Sequence, residues 1–195
     1  MTEITFLFAE LIFTAVWLIC RAAVWIRQGR IDGKREAMLL LMYVNLAVIL
    51  RFTFFPMERV GGRVQPLVFD PETALPFRIN LSPFVHLTDY VRKRAMLLNH
   101  VGNVALFIPS GILLPVLYKK LDGFWKTLAA GAGISLIIEI LQLPFSSRIS
   151  DIDDLILNAA GTAIGYGIYA LARRIRAAAG SKNITAEAPF KEKSK

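Results

Sequence analysis

Residues 97–118 read LLNHVGNVALFIPSGILLPVLY, with no Asp, Glu, Lys or Arg anywhere in the run. A segment of this length crosses a hydrocarbon core of about 30 Å as a helix. Helix is required because lipid offers the backbone no hydrogen-bond partner. Working outward, residues 4–26, 37–56, 124–143 and 152–172 are apolar runs of comparable length. Five such runs predict an all-α integral membrane protein: one domain over residues 1–176, built as a bundle of about five transmembrane helices. Composition agrees, since 55% of the 195 residues are hydrophobic, 19% are charged and the mean hydropathy is +0.50. A soluble domain carries more charge.

Cysteine usage excludes one class of chemistry. Cys20 stands by itself, so neither an intramolecular disulfide nor a cysteine metal cluster can form. The first apolar run has Glu3 as the one charge ahead of it and lacks the basic start of a signal peptide. Ile19 before Cys20 is too large for lipoprotein-type cleavage, so the run is expected to be retained as a helix.

The net charge of +8 does not point to nucleic acid, because the cations flank the apolar runs. Their distribution speaks to topology instead. Arg27, Arg30, Lys34, Arg35, Lys119, Lys120, Lys126, Arg173, Arg174, Arg176 and Lys182 fall on one side; Arg59, Arg63, Arg78, Arg92, Lys93, Arg94 and Arg148 fall on the other. The bias favours an N-terminus outside and a C-terminus in the cytoplasm. Residues 177–195, small, polar and basic, read as a disordered cytoplasmic tail. The run Arg92–Lys93–Arg94 opposes the bias, unless it serves the phosphates of the outer leaflet.

The connection over residues 57–96 is the one long loop. Gly61, Gly62, Pro66, Pro71, Pro76 and Pro83 keep it from being a single helix. Its many apolar residues favour folding onto the outer membrane surface. Ser82–Pro83 reads as a helix start, with Pro in the first turn. A short interfacial helix is therefore expected from there to about Arg94, leading into the third span. Within that span Pro109 predicts a kink, either ordinary or shaping a pocket, and Ser110 is placed to satisfy a freed carbonyl. Gly161-x-x-x-Gly165 in the last span permits close helix approach, and packing within the bundle is the preferred reading over dimerisation.

If the spans alternate in direction, their polar residues meet near one surface. Arg51 comes late in the second span. Asn99 and Asn103 open the third on one face, Glu139 and Gln142 close the fourth, and Asp151, Asp154 and Asn158 open the fifth at helical spacing. Ser150-x-x-Asp153 resembles a capping box, which makes Asp153 a cap. Arg51 and Glu139 lie inside apolar runs, where no cap is needed. Charges there usually mark function and have a partner nearby, so Arg51 is expected to pair with Glu139, Asp151 or Asp154. The two histidines, His86 and His100, are too few for a zinc site. No metal or cofactor is expected, and no nucleotide or triad motif is present.

Five stretches in order carry a family resemblance: Arg51–Pro56 (RFTFFP), Asn80–Phe84 (NLSPF), Gly102–Leu114 (GNVALFIPSGILL), Glu139–Gln142 (EILQ) and Asp151–Gly161 (DIDDLILNAAG). Over roughly residues 40–170 the chain resembles the VanZ-like membrane proteins, with departures at Asp153 and Ser110. The resemblance implies a small multi-spanning protein of the bacterial envelope, in a family named for an accessory of teicoplanin resistance. It supplies no reaction.

Two functions follow as expectations. The first is a non-catalytic accessory whose outer-leaflet pocket binds a lipid head group, a cell-wall precursor or a lipophilic glycopeptide. Arg51, Asn80, Asn99, Asn103, Glu139, Gln142, Asp151, Asp154 and Asn158 would form that site, with Arg51 meeting a phosphate or carboxylate. The second is a membrane enzyme acting on a lipid-linked envelope substrate, with Glu139 or Asp154 as acid or base. The first is preferred. The sequence leaves the oligomeric state open. A proton-coupled carrier is disfavoured, because the cytoplasmic halves of the spans carry almost no titratable residues.

Overall fold

A computed structural model describes residues 2–55, 59–69, 78–83, 93–145 and 148–186. It contains five helices that are long and apolar enough to cross a membrane: α1 (Phe6–Gln28), α2 (Gly33–Phe54), α3 (Lys93–Leu117), α4 (Phe124–Gln142) and α5 (Ile152–Ala186). The chain is an all-α, multi-pass membrane protein, as its apolar runs predict.

Local chemistry sets the helix ends. The Thr5 side chain accepts from the Phe8 amide and starts α1, while Gly29 ends it at φ 62°, its N–H returning to the Trp25 carbonyl. Asp32 starts α2 by accepting from the amides of Lys34 and Arg35. The first span therefore begins later than residue 4. Residues Thr2–Ile4 form a strand, β1, paired antiparallel with β4 (Leu67–Phe69). The fifth helix continues beyond residue 172 to Ala186, carried by residues such as Ala177, Ala178 and Ala179 that favour helix. Residues 187–195 of the expected tail lie outside the described residues.

The long connection contains short strands that its proline content did not announce. β2 (Arg59–Val60) and β3 (Arg63–Val64) make a hairpin whose turn is Gly61–Gly62, with φ 60° and 77°. Two positive φ values suit the right-handed twist of a tight hairpin, and glycine adopts them without a Cβ clash. β5 (Ile79–Asn80) runs parallel to β6 (Ser150–Asp151), which joins the loop to the start of α5. The expected interfacial helix falls on residues 84–92, outside the described residues.

Helix α3 is the centre of the bundle, packed against α2, α4 and α5. Its contact with α5 is made backbone to backbone. A Cβ at Gly111 would overlap the Thr162 carbonyl, one at Gly161 the Val104 carbonyl, and one at Gly165 the Ile108 carbonyl. The Gly161-x-x-x-Gly165 pattern thus serves packing within the bundle. Helix α1 stands at the periphery against α2 and exposes much of its apolar surface. Tyr43 of α2 joins the two, stacking on Phe13 and bonding the Thr14 hydroxyl at 2.7 Å, with Arg21–Glu36 as an ion pair further along.

Candidate functional site

The ends of α2 and α4 and the starts of α3 and α5 meet at one end of the bundle, and the polar side chains gather there. Pro144 follows α4 and lets the chain turn back. Ser150 and Asp151 then extend along β5 before α5 begins. This turn places Asp151 between two partners. Its backbone N–H donates to Glu139 Oε2 at 3.0 Å, and its Oδ2 accepts from Asn80 Nδ2 at 3.1 Å. Its Oδ1 accepts from the Asp153 amide at 3.0 Å, so Asp151 is the cap of α5. Capping was expected of Ser150 and Asp153. Ser150 is held in the strand, its N–H bonded to the Arg78 carbonyl at 3.0 Å, and its side chain is engaged by Glu139.

One turn into α5, Asp154 accepts from Asn103 Nδ2 of α3. One further turn in, Asn158 Nδ2 donates to the Ser135 hydroxyl of α4 at 2.9 Å, and its buried Oδ1 has no hydrogen-bond partner among the described residues. Gln142 Nε2 reaches the Thr53 carbonyl of α2 at 2.6 Å. Glu139 is 5% exposed and Gln142 4% exposed, so both are interior groups. Asn80, Asn103, Glu139, Gln142, Asp151, Asp154 and Asn158 are thus brought together across five elements, β5, α3, α4, β6 and α5. Asn99 stands apart from them, exposed, with no side-chain hydrogen bond among the described residues.

Arg51 differs from expectation. The ion pairs among the described residues are Arg21–Glu36 and Arg173–Asp122, and a pair between Arg51 and Glu139, Asp151 or Asp154 is not one of them. Arg51 instead donates to the Phe55 carbonyl at 3.1 Å and lies over the rings of Phe6 and Phe52. The cause is its place on α2. There it faces the rings of Phe6 and Phe52 and the last carbonyls of its own helix, both of which favour a cation.

The cation nearer the carboxylates is Arg148, which the sequence suggested only as a flanking charge. Its Nε donates to the Phe54 carbonyl at 2.9 Å, while a terminal nitrogen is buried without a hydrogen-bond partner among the described residues. Burial lowers its pKa, the charge of Asp154 raises it, and neighbouring Arg51 lowers it. Arg148 therefore sits within the field of both. Its position just past a proline-ended helix and three residues before Asp151 was the signal available.

A second missed group lies deeper. Asn45 donates to the Leu106 carbonyl at 2.9 Å and accepts from the Ser110 hydroxyl at 2.6 Å. Ser110 thus bonds an asparagine across the helix pair, where a carbonyl of its own kinked helix was expected. An asparagine in mid-span was the overlooked signal. Beside it, α2 and α3 enclose a groove of about 590 Å³. Its wall is mostly apolar, with residues such as Leu41, Val48, Phe52 and Ile112, and Asn45, Asn99 and Asn103 also line it. Gly102 and Pro109 border it too, and nothing lies near the position a Gly102 Cβ would take.

Five membrane-length helices among the described residues define a polytopic membrane protein, and α2 to α5 gather its amides and carboxylates at one end of the bundle, beside an apolar groove. The VanZ/LLP1 family model matches residues 40–173, and the chain belongs to that family. It is also similar to "Protein VanZ" of Enterococcus faecium, 35% identical over 96 residues. That match covers 49% of this chain and 55% of the relative, so the chain spans about half the length of the curated relative it matches. No solved structure matches. The family match includes the whole polar cluster and omits α1.

Proposed function

We propose that the protein is a non-catalytic envelope accessory that takes an amphiphile from the outer leaflet: a lipid head group, a membrane-bound cell-wall precursor or a lipophilic glycopeptide of the teicoplanin type. One observation carries the reading. Asn103 is both a wall of the α2–α3 groove and the donor to Asp154, so the apolar groove runs into the polar cluster.

An acyl chain fits such a groove by chemistry and by length. From Asn99 to Leu113 the groove follows α3 for about 21 Å at the helical rise. A single leaflet contributes about 15 Å, half of the hydrocarbon core. The polar portion of the ligand would meet Asn99 and Asn103 at the mouth and Asn80 beyond. Arg51 and Arg148 would supply guanidinium groups for a phosphate or carboxylate. Glu139, Gln142, Asp151, Asp154 and Asn158 would hold the walls in register. The charge asymmetry supports an outward orientation for this end, and family membership supports a role in the response to glycopeptides.

The test is expression in a susceptible host. Wild type should reduce susceptibility to teicoplanin more than to a glycopeptide without an acyl chain, and the purified protein should retain amphiphile. Asn103→Leu and Arg148→Ala should lose both properties. Unchanged susceptibility together with no bound amphiphile would overturn the reading. Catalysis by Glu139 or Asp154 has less support, because each carboxylate is already engaged by a structural donor. A change in envelope lipids that Glu139→Gln abolishes would favour it.

A further inference from the structure

We infer that the opposite end of the α2–α3 pair holds the head group of an anionic phospholipid. A cavity of about 780 Å³ lies there between the start of α2 and the 3₁₀ turn Lys119–Leu121 that follows α3. Its wall carries four cations, Lys34, Arg35, Lys119 and Lys120, and one acid, Asp32.

The acids at this end are already engaged. Asp32 accepts the amides of Lys34 and Arg35 as the cap of α2. Glu36, beside Arg35 in sequence, is paired with Arg21, and Asp122, next after the 3₁₀ turn, is paired with Arg173. Lys34, Arg35, Lys119 and Lys120 consequently take part in no ion pair among the described residues. Four cations against the one carboxylate of Asp32 leave the wall of this concavity with a net positive charge. A phosphate offsets that charge, accepting from both lysine and arginine donors.

The rest of the wall argues for a lipid over a free anion. Met38, Val116, Leu117 and Leu121 line the same cavity, with Tyr118 exposed at its edge. A phosphate ester bearing an acyl chain matches both halves: cations for the head, the ends of two membrane helices for the first methylenes. Basic pockets between membrane helices bind acidic head groups in this way. Lysine and arginine stems can lie along the apolar wall and keep their charges at the interface. This site lies at the other end of the helices from the polar cluster, so it stands or falls independently of the function proposed above.

The experiment uses full-length protein in mild detergent, titrated with phosphatidylglycerol or phosphatidylcholine of identical chains and read by native mass spectrometry. Wild type should prefer the anionic lipid. Each cation contributes about fivefold at low salt, so Lys119→Ala with Lys120→Ala should reduce the preference by about tenfold or more. Val116→Trp, which keeps every charge and fills the apolar wall, should also weaken binding. Arg27→Ala with Arg30→Ala, outside the cavity, should leave it unchanged. Equal binding of the two lipids, equal loss in the Arg27/Arg30 variant, or displacement of the lipid by millimolar inorganic phosphate would each overturn the inference.

Discussion

Arg148 connects three elements through one guanidinium: it bonds the end of α2, lies in the field of Asp154 on α5, and belongs to the turn after α4. Arg148→Ala removes the charged donor from the Phe54 carbonyl and the positive field beside Asp154. A hydrogen bond to a charged group is worth about 1.5–3 kcal/mol, and a loss of that size should appear in thermal unfolding of the purified protein. Asn158 poses a different test, since its amide nitrogen is satisfied by Ser135 while its oxygen has no partner among the described residues. In a double-mutant cycle of Asn158→Leu and Ser135→Ala, the coupling should fall near the roughly 0.6 kcal/mol common for interhelical bonds in membranes. The double variant should unfold close to wild type, because no unpaired amide or hydroxyl is left behind.

Among the elements, α3 and α5 form the tightest pair, and glycine is the reason. Gly161→Ala pushes a methyl group into the Val104 carbonyl, so the helices must separate. Overpacking of this kind costs about 1–3 kcal/mol. Gly102→Ala, on the same α3 but facing open space, should be neutral or stabilise by up to about 1 kcal/mol through helix propensity. Comparing the two variants by thermal unfolding separates loss of contact from the general effect of replacing glycine. Equal effects would mean that α3 and α5 do not approach as closely as described. Helix α1 is a looser element, joined to α2 by the Tyr43 contacts and the Arg21–Glu36 pair.

For the whole molecule, we propose from the charge bias that the polar cluster faces outside and the Lys119–Lys120 end faces the cytoplasm. In a Cys20→Ala background, Ser82→Cys should react with an impermeant maleimide in intact cells, and Ala178→Cys only after permeabilisation. The reverse pattern would invert the topology and place the amphiphile site on the inner leaflet. Up-and-down connection gives the fold two chemically distinct ends. The lateral groove at one and the basic cavity at the other are both built from α2 and α3.

Span number and polar gathering were legible in the sequence because lipid imposes a severe rule: about 20 apolar residues must form a helix, and a charge among them must find a partner inside. The family followed from the order of RFTFFP, NLSPF, GNVALFIPSGILL, EILQ and DIDDLILNAAG. Partner choice did not follow, because rotation about a helix axis decides which neighbour a side chain meets, and packing sets that rotation. Arg51 turned to carbonyls and aromatic rings, Asp151 became the cap when Ser150 was drawn into a strand, and Arg148 entered the site from a turn. Hydropathy therefore determined the spans and the depth of their polar groups. Only the close approach of α3 to α5 and the antiparallel contact of α2 with α3 decided which of those groups share a site.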